Sequence, residues 1–212
     1  MKVGKKLSIL SVLLISQFTY AQQSQQSLPA CPFPTYSLPK GWYVEGGGGY
    51  TRLTGKTYPG STTVKTSPPG WYATVGRKFS PYLAVEGSYF GYSNTSIKNS
   101  ESITAAQDKH RSIDVNGKLI LPFKSSGLEA FGKLGLAWLN SKIININSQA
   151  AAVNNMTFNT GNYTALGPFL GVGAQYYATP NISAILQFTE AIGNSNTGNL
   201  SFISLGASLL IN

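Results

Sequence analysis

Residues 167–191 read GPFLGVGAQYYATPNISAILQFTEA. Along the first arm Leu170, Val172, Ala174 and Tyr176 alternate with Gly171, Gly173, Gln175 and Tyr177. Along the second, Ile182, Ala184, Leu186 and Phe188 alternate with Ser183, Ile185, Gln187 and Thr189. A period of two puts successive side chains on opposite faces of a strand. Between the arms, Ala178, Thr179, Pro180 and Asn181 supply turn residues, and the proline ends the first ladder. The stretch is a β-hairpin with one apolar face and one small or polar face.

The pattern recurs on both sides of this hairpin. Strands are expected over 41–52, 70–78, 82–92, 112–121, 128–140 and 200–211, which with the two hairpin arms makes eight. The cleanest is 112–121, where Ile113, Val115, Leu119 and Leu121 oppose Ser112, Asp114, Asn116 and Lys118. Connections alternate in length. Residues 79–81, 122–127 and 178–181 are short, whereas 53–69, 93–111, 141–162 and 192–199 are long and rich in Gly, Asn, Ser and Thr. Short turns on one side and long loops on the other are the plan of an up-and-down barrel in an outer membrane, with strands of about 9–11 residues sufficing to cross.

Composition separates a lipid-facing barrel from a water-facing one. Charged residues are only 11% of the chain, against about 25% in an ordinary soluble domain. A barrel with its apolar faces inside would present a Gly- and Ser-rich, weakly charged exterior to water. With the polar faces inside, small residues suit the narrow interior of an eight-stranded barrel, and closure leaves no unpaired sheet edge in lipid. The expected fold is therefore all-β: an eight-stranded antiparallel up-and-down transmembrane β-barrel over residues 41–212.

Residues 1–21 read as a secretory leader. Lys2, Lys5 and Lys6 precede an apolar run over 7–18 that ends at Thr19, Tyr20 and Ala21. The run is shorter than the roughly 20 apolar residues of a spanning helix. Residues 22–40, rich in Gln, Ser and Pro, are expected to be a disordered linker. It holds the single cysteine, Cys31, whose Leu28-Pro29-Ala30-Cys31 context fits a lipoprotein box poorly and is read as a lone thiol. Without the leader's lysines the formal charge drops from +9 to +6, with no basic run or stripe of the kind nucleic acid requires.

The stretches GWYVEGGGGY, SPYLAVEGSYFGY, GKLILPF, LEAFGKLGLAW and GPFLGVGAQYYATPN resemble the transmembrane domain of outer membrane protein A and its small-barrel relatives. The resemblance covers 41–211 and implies fold more than task. It implies an interior charge network, with Glu86 on the third strand, Lys118 on the fourth and Lys133 on the fifth. Two positions depart from it: the acidic place on the sixth strand is Gln175, and the arginine place on the seventh is Ile185. The peptidoglycan-binding domain that follows the barrel in that family is not expected here.

Glu45, Glu86, Lys118 and Lys133 are mid-strand charges on polar faces, and charges inside a narrow barrel must pair. They are read as a lumen network, with an ion path as the alternative. Arg52, Lys56 and Lys65 make the first long loop cationic, a candidate contact for phosphorylated lipopolysaccharide. His110, Ser112 and Asp114 would share one strand face, which suggests a nucleophile relay. However, i and i+2 side chains stand some 6–7 Å apart, so His110 is read as a solvated loop base. Trp42, Tyr50, Trp71, Tyr82, Tyr89, Trp138, Tyr163 and Tyr176 are read as interfacial girdles. No catalytic, metal or cofactor motif is recognised.

The expected role is non-enzymatic: a barrel supporting the Gram-negative envelope and displaying loops for adhesion to host surface molecules. A low-conductance pore is the alternative, and a lipid-modifying enzyme a remote one. Outer-membrane lipids, lipopolysaccharide, periplasmic chaperones and the barrel-assembly machinery are the expected partners.

Overall fold

The computed structural model describes residues 40–211 apart from 59, 62, 66–68, 124 and 125, and for 63–65 the backbone only. The expected leader, the linker up to residue 39 and Cys31 lie outside the described residues. The described residues form ten strands and one short helix: β1 (Gly41–Thr54), β2 (Thr63–Lys65), β3 (Pro69–Ser80), β4 (Leu83–Tyr92), β5 (Thr95–Lys98), β6 (Thr104–Phe123), β7 (Leu128–Ile144), α1 (Ser148–Ala152), β8 (Asn162–Tyr177), β9 (Ile182–Ala191) and β10 (Asn199–Ile211). Eight of them close into an antiparallel barrel, in the order β1-β3-β4-β6-β7-β8-β9-β10 with β10 returning to β1.

The deciding hairpin is β8 and β9, in register from Phe169 opposite Ala191 to Tyr177 opposite Ser183. Its turn is fixed by the Ala178 and Thr179 amides, which both donate to the Ile182 carbonyl, and by the Ile182 amide, which donates to Thr179 Oγ1. In each barrel strand the pleat sends one alternate set outward. Leu119, Leu134, Leu166 and Leu205 are 66–70% exposed, whereas Leu139 and Ile185, on the inner face, are wholly buried. An apolar exterior of that extent is stable only where lipid covers it.

Aromatics bracket this band. Tyr50, Trp71, Tyr89 and Trp138 lie at its long-loop end, with Trp71 and Tyr89 rings 5.4 Å apart. Trp42, Tyr82 and Tyr176 lie at the short-turn end, where the Arg77 guanidinium sits 5.5 Å from the Trp42 ring. Tyr163 departs from the expected girdle: it is on the inner face of β8, with Lys56 Nζ 5.8 Å from its ring.

The long loops differ from expectation. Two of the strands run far past the lipid band, β6 by starting at Thr104 and β7 by continuing to Ile144. β5 pairs with the outer part of β6, and β2 pairs with β5. Their polar sequences look like loops because these segments have no lipid to face on either side. The α1 turn, capped by Asn147 Oδ1 accepting from the Ala150 amide, packs Ala150, Ala151 and Met156 with Ala105.

Candidate functional site

The inner faces of the strands build a lumen packed by its own side chains, with a cavity of only about 10 Å³ left among Tyr43, Lys78, Lys118, Glu129 and Gln175. Glu45 on β1, Glu86 on β4, Lys118 on β6 and Lys133 on β7 all point inward. Lys118 and Lys133 are register partners on neighbouring strands, and two like charges directly opposite repel. Glu86, on the strand beside β6, and Glu45, reaching in from β1, neutralise them. Lys118 Nζ is 2.8 Å from Glu45 Oε1 and 3.1 Å from Glu86 Oε1. Lys133 Nζ is 2.7 Å from Glu86 Oε2 and 3.6 Å from Glu45 Oε2. Two cations and two anions thus form one balanced cluster, the condition under which charges tolerate burial.

Side chains around the cluster complete it. Tyr43 donates its hydroxyl to Glu86 Oε1 at 2.7 Å. The Tyr43 ring lies over Gly76, where any larger residue would collide with it. Lys118 Nζ stands 4.3 Å from the Phe131 ring centre, within cation–π range. The two positions that depart from the resembling family are absorbed differently. Gln175 accepts from Lys118 at 3.4 Å and donates to Ser183 at 2.7 Å. Ile185 packs with Tyr43, Ala84, Ile120, Phe131 and Leu210. Towards the short turns a second ion pair, Lys78 with Glu129 at 2.7 Å, extends the plug.

Above the charges lies an apolar layer. Phe90 stacks between Tyr72 and Tyr92, and Phe202 meets all three rings edge-on, with centres 5.7–6.3 Å apart. Phe169, 5.9 Å from Phe90, fills the far side. Gly206 gives the Tyr72 hydroxyl the space a side chain would take.

The mouth holds a third group, and here the expected rim changes. Arg52 does point outward, above Tyr50. Lys56 instead turns in, its side chain 8% exposed, and bonds Asp108 and Ser141 Oγ. Burial of its ammonium is tolerable because Asp108 meets it. The Lys65 side chain lies outside what the structure describes. Tyr58, from the same loop, donates to Asp108 Oδ2 at 2.6 Å, and Ser141 donates to Oδ1 at 2.7 Å.

His110 is a second correction. It is 2% exposed on the inner face of β6, because β6 begins much earlier than the sequence suggests. Its Nε2 lies 3.3 Å from Asp108 Oδ2. Ser112, on the same face, has its Oγ 3.2 Å from the Tyr92 hydroxyl, and Asp114 accepts from Asn116 at 2.7 Å. The three residues share a face yet are drawn to different partners. Asp108 lies beyond the lipid band. Burial opposes its ionisation, but His110, Lys56 and Tyr58 outweigh burial and hold its carboxyl well below the usual carboxylate range.

Sequence reading missed Lys78, Glu129 and Asp108. The first two obey the same inward period as Glu86 and Lys118 and were legible by that rule. Asp108 was not, because the outer half of β6 carries no apolar alternation. Among the described residues, no three His, Cys, Asp or Glu side chains converge as a metal site requires.

A closed eight-stranded barrel with an apolar exterior, aromatic belts and a lumen packed by its own side chains defines a small outer-membrane barrel protein. The chain belongs to the outer membrane protein beta-barrel domain family, whose model matches residues 9–210. Among solved structures it is similar to OprG of Pseudomonas aeruginosa, with TM-score 0.54 and 15% identity, covering 81% of this chain and 98% of that one. It is also similar to the attachment invasion locus protein Ail of Yersinia pestis, with TM-score 0.53 and 15% identity over 82% of this chain and 100% of that one. The N-terminal barrel domain of Pseudomonas aeruginosa OprF gives 0.53 and 16% over the same shares. At such identities the likeness is one of fold. No curated protein matches.

Proposed function

We propose that this barrel is a non-enzymatic, non-conducting element of the Gram-negative outer membrane that reinforces the envelope and presents a shaped outer surface for attachment. The observation that carries the reading is the filled lumen: an ion-paired cluster below, an aromatic layer above, and a loop side chain, Lys56, drawn into the mouth. A barrel so packed offers ligands its exterior and its loops. Two of those loops are tied to each other. Asn99 donates to the Ala150 carbonyl at 3.0 Å, and Ser100 Oγ donates to Asn154 Oδ1 at 2.9 Å, tying the β5–β6 turn to α1. A fixed shape lowers the entropy lost when a partner binds.

Attachment is favoured by one relative. Ail is named for attachment and has been solved with the heparin analogue sucrose octasulfate. Arg52 and Lys65 remain as loop cations suited to lipopolysaccharide or host polyanions, while Lys56 is withdrawn from that role. Leader cleavage at Ala21, delivery by periplasmic chaperones and insertion by the assembly machinery belong to the same reading.

The test is deletion of the gene followed by complementation with two forms: the whole chain, and a chain whose 145–161 segment is replaced by a short Gly-Ser turn. Both should restore resistance to detergent, and only the whole chain should restore attachment. If the shortened chain attaches as well as the whole one, display by this loop is wrong. If neither restores detergent resistance, the envelope role is wrong.

A further inference from the structure

The pleat of β6 and β7 leaves three cations on the outer wall just beyond the lipid band. Lys109 and Arg111 on β6 and Lys142 on β7 are all exposed. Lys109 is the direct register partner of Lys142, and Arg111 of Asn140. Immediately below, Ile113 and Trp138 are also register partners and begin the apolar face. Lys109, Arg111, Asn140, Lys142 and Ile144 line a groove of about 290 Å³.

Two features need explaining. Like charges directly opposite on antiparallel strands destabilise the pair, yet Lys109 faces Lys142 with no glutamate reaching over, as happens inside the lumen. The chain's acids are also placed elsewhere. Five of its seven, Glu45, Glu86, Asp108, Asp114 and Glu129, are buried on the inner side. Of the others, Glu101 lies in the β5–β6 turn and Glu190 at the outer end of β9. The groove's orienting contacts are already set. Arg111 Nε donates to Asn140 Oδ1 at 3.3 Å, and Asn140 Nδ2 donates to Asn162 Oδ1 at 2.7 Å, which holds the guanidinium against the wall.

We infer that Lys109, Arg111 and Lys142 form a binding site for the phosphate of an outer-leaflet lipid, whose acyl chains lie along Ile113, Trp138 and Leu166. The position decides the source of the phosphate. The groove opens sideways at the height where an apolar wall becomes polar, which is where lipid headgroups sit. A soluble polyanion would be served better by the loop tips. The anion relieves the Lys109–Lys142 repulsion, and the guanidinium supplies a planar fork that phosphate oxygens match. The site is separate from Arg52, which stands on β1 with β3 and β4 between it and β6. It rests on the membrane placement of the barrel, but not on the attachment role.

The test uses the full folded barrel in phosphatidylcholine bilayers, with bisphosphorylated lipid A or the same lipid stripped of its phosphates as probe. Retention of the lipid is read by native mass spectrometry, and stability by the temperature at which the compact gel band is lost. Lipid A should be retained over its dephosphorylated form. Changing all three residues to glutamine should weaken retention roughly a hundredfold, at about fivefold per cation. Arg77→Gln, an outward cation at the opposite interface, should leave it unchanged.

Lys109→Gln alone should raise the melting temperature in pure phosphatidylcholine, by removing the like-charge pair, and lower it relative to wild type when lipid A is present. A merely structural lysine would shift both in the same direction. Equal retention by the triple variant, equal retention of the dephosphorylated lipid, or full competition by millimolar inorganic phosphate would each overturn the lipid site. Any of these results from a barrel that still inserts leaves its membrane placement intact.

Discussion

At the scale of single residues, Glu86 is the centre of the lumen. It touches Lys118, Lys133 and Tyr43. Glu86→Ala leaves two facing lysines with Glu45 alone between them, and breaking a buried charge cluster costs roughly 3–5 kcal/mol. The urea midpoint in lipid vesicles should therefore fall, with the fold retained. Exchanging signs, Glu86→Lys with Lys118→Glu, would rescue an isolated pair. Here it should not, since the new lysine meets Lys133 and the new carboxylate meets Glu45. Full recovery would show that the four charges act as separate pairs. The inward position of Glu86 is legible from the sequence, because alternation fixes the face a residue takes. Its pairing with Lys118 and Lys133 is legible too, because those charges share the interior, and both contacts are present. The reach of Glu45 from β1 to the same two lysines is not, because contacts across a barrel depend on shear, which strand-by-strand periodicity does not encode.

At the scale of elements, the sequence shows the strands where they face lipid and hides them where they do not. The segment 112–121 is plain from its apolar stripe, while 104–111 and 141–144 belong to the same strands and look like loops. For this reason His110 reads as a loop base, and Asp108, which draws Lys56 inward, goes unseen. The first loop is latched through Lys56 and Tyr58 to Asp108. A carboxyl held below its unfolded value of about 3.9 contributes stability that is complete above that value and lost as pH falls through the folded value. Burial of Asp108 opposes its ionisation and the three partners overcome it. Amide exchange protection over 55–58, corrected for intrinsic rate, should hence stay level from pH 8 to pH 5. Asp108→Asn should reduce it throughout, and a loss confined to the acid end would contradict the latch. Sidedness is a separate test on the same elements. In a chain with Cys31→Ser, cysteines replacing Glu101, Asn155 and Asn196 should react with an impermeant maleimide on intact cells, while one replacing Ser126 should not. The opposite pattern would invert the barrel.

At the scale of the whole molecule, the question is whether anything passes through. Between the Lys78–Glu129 pair and the Lys56 latch at the mouth, two obstructions lie in series along the axis, and they differ in kind. The lower is the Glu45–Glu86–Lys118–Lys133 cluster, which closes by attraction. The upper is the Tyr72, Phe90, Tyr92 and Phe202 layer, which closes by excluding water, as apolar constrictions do in channels. Series resistances add, so removing one obstruction leaves the other in control. In planar bilayers the wild-type barrel should show no discrete openings. Glu86→Ala should lower stability yet stay silent, because the rings remain. Phe90→Ala with Phe202→Ala should also stay silent, because the charges remain. In a background that clears the two ends, Lys56→Ala with Lys78→Ala and Glu129→Ala, only the three changes together should conduct, and Lys118 and Lys133, then in excess over Glu45, should favour anions. Openings from Glu86→Ala alone would mean that the aromatic layer is no barrier, and openings from the wild type would replace the structural role with a pore.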